Sequence, residues 1–293
     1  MARPGLDAAV AALTAGDLAD VIAVVAWPDP HAGRDATNRP NAVLVADHGG
    51  VARLTSDRPG GDVLTGRNPV PNTDPLAFLP YSREVEDPSP AHTRNAYPLP
   101  WERLSSFFTD GRSPDLVIVH SAGHWFPLEG GHPGEHGSLD VIQSRAPLLL
   151  SGAGVQQRGV LRDHARLVDV MPTLAWAAGV PRESLMGLDG CIRDDLVRPG
   201  ATHVIGLLWD GAHCGSLLDL AARGDLPNVA RLLDRGLALA GGAVAEFPSL
   251  TLVNHTSALT GVGPGRHGVI GNVYWDRELG ERVVPNDPAT WHR

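Results

Sequence analysis

The stretch Val204-Ile-Gly-Leu-Leu-Trp-Asp210-Gly211 indicates how this 293-residue chain is organised. Its first five residues, mainly apolar, predict a short buried strand, and an acidic residue follows soon after the end of that strand. In open α/β sheets, ligands bind outside the carboxyl ends of the strands. Asp210 is therefore either a ligand-binding residue or simply the N-cap of the next helix.

Similar apolar runs recur along the chain and alternate with helical patterns. Strands are predicted at 21–26, 42–45, 116–119, 147–150 and 204–208, and helices at 6–15, 166–178, 216–223, 227–235 and 252–260. Nearly continuous apolar strands are typical of a sheet covered on both faces. The pattern predicts an α/β fold with a mostly parallel sheet sandwiched by helices, while the Pro-rich stretch 56–100 is expected to be a loop draped over the core.

Composition excludes several classes of protein. With 43% hydrophobic residues the chain can form a core, and its net charge of −9 argues against nucleic-acid binding, which needs a basic surface. Cys191 and Cys214 lie too far apart in sequence to form a CxxC pair, so a cysteine zinc site is not expected. The apolar run 21–27 is too short to span a membrane, and we therefore expect a cytoplasmic protein without a membrane partner.

A second motif, Phe247-Pro-Ser-Leu-Thr251-Leu-Val-Asn254-His255, leads into the helix predicted at 252–260. Thr251 falls in the first turn, where unpaired N–H groups and a partial positive charge suit a phosphate. Capping by Thr251 or by the preceding serine is the alternative. A Gly-rich turn, 263–272, follows and can be either part of the same site or only a loop.

Taken together, residues 202–277 resemble the amino-terminal half of type I phosphodiesterases/nucleotide pyrophosphatases of the alkaline phosphatase superfamily. The resemblance implies a metal-dependent hydrolase of phosphodiester or nucleotide pyrophosphate bonds, acting on a small phosphate ester or nucleotide. It assigns Asp210 as a metal ligand, Thr251 as the metal-bound nucleophile and Asn254 as a donor to a phosphoryl oxygen. A divalent cation, zinc or manganese, would stabilise the threonine alkoxide.

Residues 112–192 resemble the carboxyl-terminal half of the same superfamily, through Gly134-Glu-His136-Gly-Ser138 and the run that begins at Arg145. That resemblance implies that His136 is a metal ligand, with His132 as second choice. Upstream, Asp47-His48-Gly49 ends a predicted strand, where such a pair commonly binds metal in this superfamily. A hairpin turn is the other interpretation of Asp47 and His48.

The order of the two halves is reversed relative to the family. Residues 1–198 resemble its carboxyl-terminal half, and residues 199–293 resemble its amino-terminal, nucleophile-bearing half, which we expect to be incomplete. The family's Asp-x-x-x-His pair is absent from the sequence. A circular permutation with a degraded second site and a truncated tandem both explain this, and we favour the tandem. A catalytically silent module that binds a phosphorylated ligand or a partner is therefore the alternative function.

Overall fold

The computed structural model describes residues 5–124 and 136–288. The strands are β1 (Ile22–Pro28), β2 (Val43–Asp47), β3 (Gly50–Leu54), β4 (Asp62–Gly66), β5 (Val117–His120), β6 (Arg145–Ala146), β7 (Leu149–Ser151), β8 (Gly159–Leu161), β9 (Ala165–Arg166), β10 (Gly236–Leu239), β11 (Ala243–Val244), β12 (Tyr274–Asp276) and β13 (Glu281–Val283). The α-helices are α1 (Leu6–Leu13), α2 (Leu18–Val21), α3 (Tyr81–Glu86), α4 (Pro100–Phe107), α5 (Val141–Ser144), α6 (Val170–Ala177), α7 (Cys214–Ala222), α8 (Pro227–Asp234), α9 (Thr251–Thr260) and α10 (Pro264–His267). Short 3₁₀ turns lie at His92–Arg94, Leu167–Asp169 and Arg182–Leu185.

The largest sheet has the order β4-β3-β2-β1-β5, and all of its strand pairs are antiparallel. The α/β class is compatible with this architecture, but the mostly parallel sheet that the sequence predicted is wrong. Strands β2 and β3 are joined by two residues only, between the paired Asp47 and Gly50. Because parallel strands need a long crossover, so short a connection forces the antiparallel arrangement.

Burial on both faces explains why β1 is apolar throughout although the sheet is antiparallel. Val24 and Ala26 belong to the main core cluster, which also includes Leu104 and Phe107 of α4. The alternate residues Val25 and Trp27 pack with α1 on the other face. A continuous apolar strand therefore reports coverage by helices on both sides, and not the direction of the neighbouring strands.

Two small mixed sheets connect the two sequence segments. Strand β10 pairs antiparallel with β7 and parallel with β8, and β11 pairs antiparallel with β6 and parallel with β9. Residues 145–166 and 236–244 are thereby hydrogen-bonded into common sheets. Within the described residues, parallel pairing is confined to these two contacts.

Residues 204–208 do not form the predicted strand. They lie outside every helix and strand, and the side chains of Ile205 and Leu207 are 91% and 90% exposed. A strand needs a neighbour for its N–H and C=O groups, and no strand of the described chain pairs with this segment. The segment instead runs along an apolar cavity of about 690 Å³ beside α6. It also places Asp210 within hydrogen-bond distance of Thr251.

This exposure predicts a small energetic effect of substitution. Ile205→Ser should change the free energy of unfolding by less than about 0.5 kcal/mol, as is usual for a surface position. Leu237→Ala, in the fully buried strand β10, should cost about 2–5 kcal/mol and serves as the comparison. Urea unfolding measures both. A loss of several kcal/mol in the Ile205 variant would show that this run is buried.

The helices predicted from the sequence are found close to their predicted positions. Helix α8 begins at Pro227, which favours a first helical position, and α9 ends at Gly261 in the left-handed conformation with φ +72°. The Pro-rich stretch contains β4 and α3, which the sequence analysis missed, because β4 is short and exposed and carries no burial pattern. Among the described residues, no helix is long and apolar enough to cross a membrane.

Candidate active site

Thr251 and Asp210 meet at the start of helix α9. The Thr251 hydroxyl donates to Asp210 Oδ2 over 3.4 Å, although the two residues are 41 positions apart in sequence. Both line a cavity of about 290 Å³, whose lining includes His136, Arg145, Asp210, His213, Thr251 and His255. The sequence singled out both residues, and the structure brings them together, with Asp210 carried by an extended segment instead of a strand.

The chain before α9 is fixed by two side chains that precede Thr251. Phe247 is buried and packs edge-on against Phe107, with ring centroids 5.4 Å apart. The Ser249 hydroxyl donates to the Ser138 carbonyl at 2.8 Å. Because these contacts hold the loop, Thr251 becomes the first residue of the helix and its hydroxyl remains at the cavity wall.

Asn254 uses both ends of its amide to hold the same loop. Its Nδ2 donates to the carbonyls of Glu246, Pro248 and Leu250 at 3.3, 3.0 and 3.0 Å. Its Oδ1 accepts from the Glu246 amide at 2.7 Å. The predicted bond to a phosphoryl oxygen would have to replace one of these contacts, so the geometry favours a positioning role for Asn254.

Asn272 lies beside Thr251 and was not singled out by the sequence analysis. Its Oδ1 accepts from the Leu252 amide at 3.0 Å, at the first turn of α9. The described residues give its Nδ2 no hydrogen-bond acceptor. The available signal was its position at the end of the Gly-rich turn 263–272, which the sequence left open between a site and a loop.

His136 lines the same cavity, as part of the segment that resembles the other half of the family. Its Nδ1 lies 2.7 Å from the Ser249 carbonyl, and because a carbonyl only accepts, Nδ1 is the protonated nitrogen. Nε2 is then the nitrogen with a free lone pair, which is the usual arrangement of a metal-binding histidine. His132, the second choice, lies outside the described residues.

Asp47 and His48 form the hairpin turn between β2 and β3 and do not line the Thr251 cavity. The Asp47 carboxylate is paired with Arg67 at 2.6 Å and His92 at 2.9 Å, and it accepts from the Gly49 amide at 2.7 Å. Burial raises the pKa of Asp47, but these hydrogen bonds and the Arg67 charge outweigh it and hold the pKa below its ordinary value. The structure therefore agrees with the hairpin interpretation of Asp47 and His48, and the Asp47 carboxylate is already occupied by Arg67 and His92.

The donors in the cavity fit a divalent metal only in part. Asp210, Thr251 and His136 offer oxygen and nitrogen ligands of the types that zinc accepts. Across residues 5–124 and 136–288, however, no group of three or more His, Cys, Asp or Glu side chains is arranged to hold a metal ion. Catalytic zinc sites take three protein ligands drawn from His, Asp, Glu and Cys. Asp210 and His136 supply two of these, so the coordination shell is incomplete.

His267, on α10, connects the Gly-rich turn to α9 as a neutral imidazole. Its Nδ1 accepts from the Val269 amide at 3.1 Å, so its Nε2 carries the proton and donates to the Ser257 hydroxyl at 2.9 Å. Burial lowers the pKa of His267 to about 4. The ring is therefore uncharged at neutral pH and packs the turn against the helix that carries Thr251.

A pH dependence of stability follows from this shift. Below about pH 6.5 the unfolded chain protonates the imidazole while the folded chain does not, so stability present above pH 6.5 is lost as the pH falls toward 4. The His267 contribution should reduce the free energy of unfolding by about 2 kcal/mol between pH 7 and pH 5. Urea unfolding should show this loss diminished in His267→Gln and retained in His31→Gln, which changes an exposed histidine. Equal losses in wild type and His267→Gln would contradict the assignment.

Comparison with known proteins identifies a family that part of the chain resembles. Residues 204–293 match the model of the family described as type I phosphodiesterase/nucleotide pyrophosphatase. This segment is similar to that family over less than a third of the chain. The resemblance to the alkaline phosphatase superfamily seen in the motifs is thereby confirmed.

Curated relatives match the chain over short stretches. The chain is 32% identical over 115 residues to alkaline phosphatase PafA from Elizabethkingia meningoseptica, covering 39% of this chain and 20% of that protein. It is 41% identical over 51 residues to ectonucleotide pyrophosphatase/phosphodiesterase 1 from Saccharomyces cerevisiae, covering 17% of this chain and 7% of the yeast protein. The chain thus spans a fifth or less of the length of these relatives. No solved structure matches it significantly.

Proposed function

We propose that this chain hydrolyses phosphate esters, either phosphodiesters or nucleotide pyrophosphates, with Thr251 as the nucleophile. The observation that carries the proposal is the contact between Thr251 Oγ1 and Asp210 Oδ2 at a cavity wall, at the first turn of α9. The match of residues 204–293 to the phosphodiesterase/nucleotide pyrophosphatase family model supports phosphate-ester hydrolysis as the reaction. The names of the relatives agree with it.

The reaction proceeds in two displacements at phosphorus. Thr251 Oγ attacks, its bond to phosphorus forms as the bond to the leaving group breaks, and the hydroxyl proton leaves along the hydrogen bond to Asp210. Water then attacks the same phosphorus, the bond between phosphorus and the threonine oxygen breaks, and the phosphate monoester leaves. The threonine oxygen takes back the proton held by Asp210, and the attacking water gives up its proton to solvent. The partial positive charge at the start of α9 favours the phosphoryl oxygens throughout.

The amide donor to the phosphoryl group is better supplied by Asn272 than by Asn254. Asn272 lies at the same helix start as Thr251, and its Oδ1 accepts from the Leu252 amide, which directs the side chain to this end of α9. Asn254 is buried and saturated by backbone groups. In this arrangement Asn254 maintains the loop and Asn272, held at the start of α9, is the proposed donor to the phosphoryl group.

A divalent metal, zinc or alternatively manganese, is part of the proposal. Asp210 and Thr251 would hold it, and His136 is the third donor on the cavity. The metal would supply positive charge that stabilises the threonine alkoxide and the phosphoryl oxygens. Asp47 and His48 do not line this cavity, so the rest of the coordination shell is not assigned.

Hydrolysis of bis(p-nitrophenyl) phosphate by the purified chain tests the function directly. Release of nitrophenol should require added zinc or manganese and should stop when a chelator is added. Comparison with p-nitrophenyl phosphate and with a dinucleotide pyrophosphate separates diesterase, monoesterase and pyrophosphatase activity. Absence of turnover on all three substrates with either metal would contradict the proposal.

A silent module that binds a phosphorylated ligand is the second candidate, favoured by the incomplete group of metal donors. Metal analysis of the purified chain distinguishes the two functions, because a silent module would retain less than one zinc or manganese per chain and show no turnover. The cytoplasmic location stays a prediction from the sequence.

A further inference from the structure

Arg145, at the start of β6, is a buried guanidinium next to the Thr251 cavity. Its side chain is only 2% exposed, and its Nη2 is paired with the Glu84 carboxylate at 3.1 and 3.2 Å. The guanidinium carbon lies 3.9 Å from the centre of the Phe78 ring. Its Nε and Nη1 are buried without a hydrogen-bond partner in the described part of the chain, and the neighbouring Cys214 thiol is at best a weak acceptor.

Unmatched donors on a buried cation are costly, and they indicate that an acceptor is missing. Leaving the hydrogen bonds of a buried charged group unmade costs more than leaving those of a neutral group unmade. Glu84 satisfies only one of the two terminal nitrogens of Arg145. A phosphate offers oxygens that can engage two guanidinium nitrogens at once.

The start of helix α7 also lies beside the Arg145–Glu84 ion pair. An added Cβ on Gly215, in its first turn, would lie 3.0 Å from Glu84 Oε2 and 3.1 Å from Arg145 Nη2. His213, the N-cap, accepts from the Ser216 amide at Nδ1, so its Nε2–H points its proton toward Glu84 Oε2 at 3.5 Å. The Glu84 carboxylate thus sits where a guanidinium, an imidazole N–H and a helix start converge.

Arg145 and His213 lie next to the candidate active site. Arg145 and His213 line the cavity that contains Thr251 and Asp210. Glu84 and Phe78, in contrast, come from the Pro-rich stretch that packs over the core, and neither lines the cavity. The carboxylate is therefore an anion of the chain itself, paired with a guanidinium that also borders the cavity.

We propose that Arg145, His213 and the first turn of α7 form a subsite for a second anionic group of the substrate. In the chain without a ligand, Glu84 pairs with Arg145 and competes with such a group for the guanidinium. The group it fits is the leaving phosphate of a phosphoric anhydride, which favours nucleotide pyrophosphates over simple diesters as substrates. The inference rests on the proposed function, because it takes the Thr251 cavity as the place of phosphoryl transfer.

Binding of inorganic pyrophosphate to the full chain, measured by titration calorimetry without added metal, tests the subsite. Glu84→Gln keeps the side-chain size and removes the competing charge, so its dissociation constant should be at least about tenfold lower than that of wild type. Arg145→Gln should bind at least about tenfold more weakly, because charge-assisted hydrogen bonds are lost. Arg112→Gln is the matched control, since Arg112 pairs with Asp110 outside this cavity, and it should bind as wild type does.

A third variant covers the case in which removal of Arg145 or Glu84 prevents folding. His213→Asn retains a residue that caps helices well and removes the Nε2–H donor, so it should fold and bind pyrophosphate severalfold more weakly. Unchanged affinity in Glu84→Gln, or in His213→Asn where the other variants do not fold, would overturn the subsite and leave a purely structural ion pair. Because binding is measured without turnover, an inactive chain that shows these shifts would refute the hydrolase and not the subsite.

Discussion

Replacing Thr251 with alanine is expected to reduce hydrolysis of bis(p-nitrophenyl) phosphate at least about 10³-fold, because the group that attacks phosphorus is then missing. The melting temperature should stay close to that of wild type. Thr251 is only partly buried, and its side chain has a single long hydrogen bond to Asp210. Steady-state release of nitrophenol, with thermal unfolding measured on the same samples, checks both expectations.

Two control variants make this result specific to the hydroxyl at position 251. Thr251→Ser retains an attacking hydroxyl and should keep measurable turnover. Thr256→Ala removes a threonine hydroxyl one turn further along α9, which donates to the Leu252 carbonyl at 2.7 Å, and turnover should remain near the wild-type value. If Thr251→Ala retains full turnover, Thr251 is not the nucleophile.

Asp210→Asn is expected to reduce the same activity by about 10²–10³-fold, the usual cost of removing an electrostatic group from a reaction centre. The amide keeps the shape of the side chain but loses the negative charge that accepts the Thr251 proton and would attract a divalent cation. Folding should be unaffected, because Asp210 is exposed. Turnover at increasing zinc or manganese concentration measures the effect.

The matched control is Asp225→Asn, which removes one charge from an exposed carboxylate paired with Arg223. It should leave turnover and its metal dependence unchanged, which excludes an effect of net charge alone. Equal activity of Asp210→Asn and wild type would show that the contact with Thr251 is incidental and would remove the main support for the proposed chemistry.

Some site residues could be predicted from the sequence and others could not. The difference is whether the features that identify a residue lie close to it in the sequence. Thr251 was placed in the first turn of a helix by the residues around it, and the helix is found there. Asp210 was chosen as the residue after a strand, yet the segment before it is exposed and unpaired, so the residue reaches Thr251 by another route. The roles of the two asparagines depend on hydrogen bonds that no local pattern reports.

The sheet shows the same limit on a larger scale. The sequence identified β1 and β2 as strands, because a short run of consecutive apolar residues is a local pattern that indicates a buried strand. Its prediction of a mostly parallel direction was wrong for this sheet, and the turn at Asp47 and His48 was compatible with both a metal site and a hairpin until the pairing of Asp47 with Gly50 was visible. The partners of that carboxylate, Arg67 and His92, lie 20 and 45 residues away.

By itself the sequence determined where five of the helices lie, which strands are apolar and which family residues 204–293 resemble. These features depend on caps, turns and motifs whose residues lie within a few positions of one another. Only the tertiary structure decided the antiparallel pairing, the contact of Asp210 with Thr251 and the burial of Arg145 against Glu84. Each of these joins distant parts of the chain, and the free energy of such contacts depends on which partners the folded core brings together.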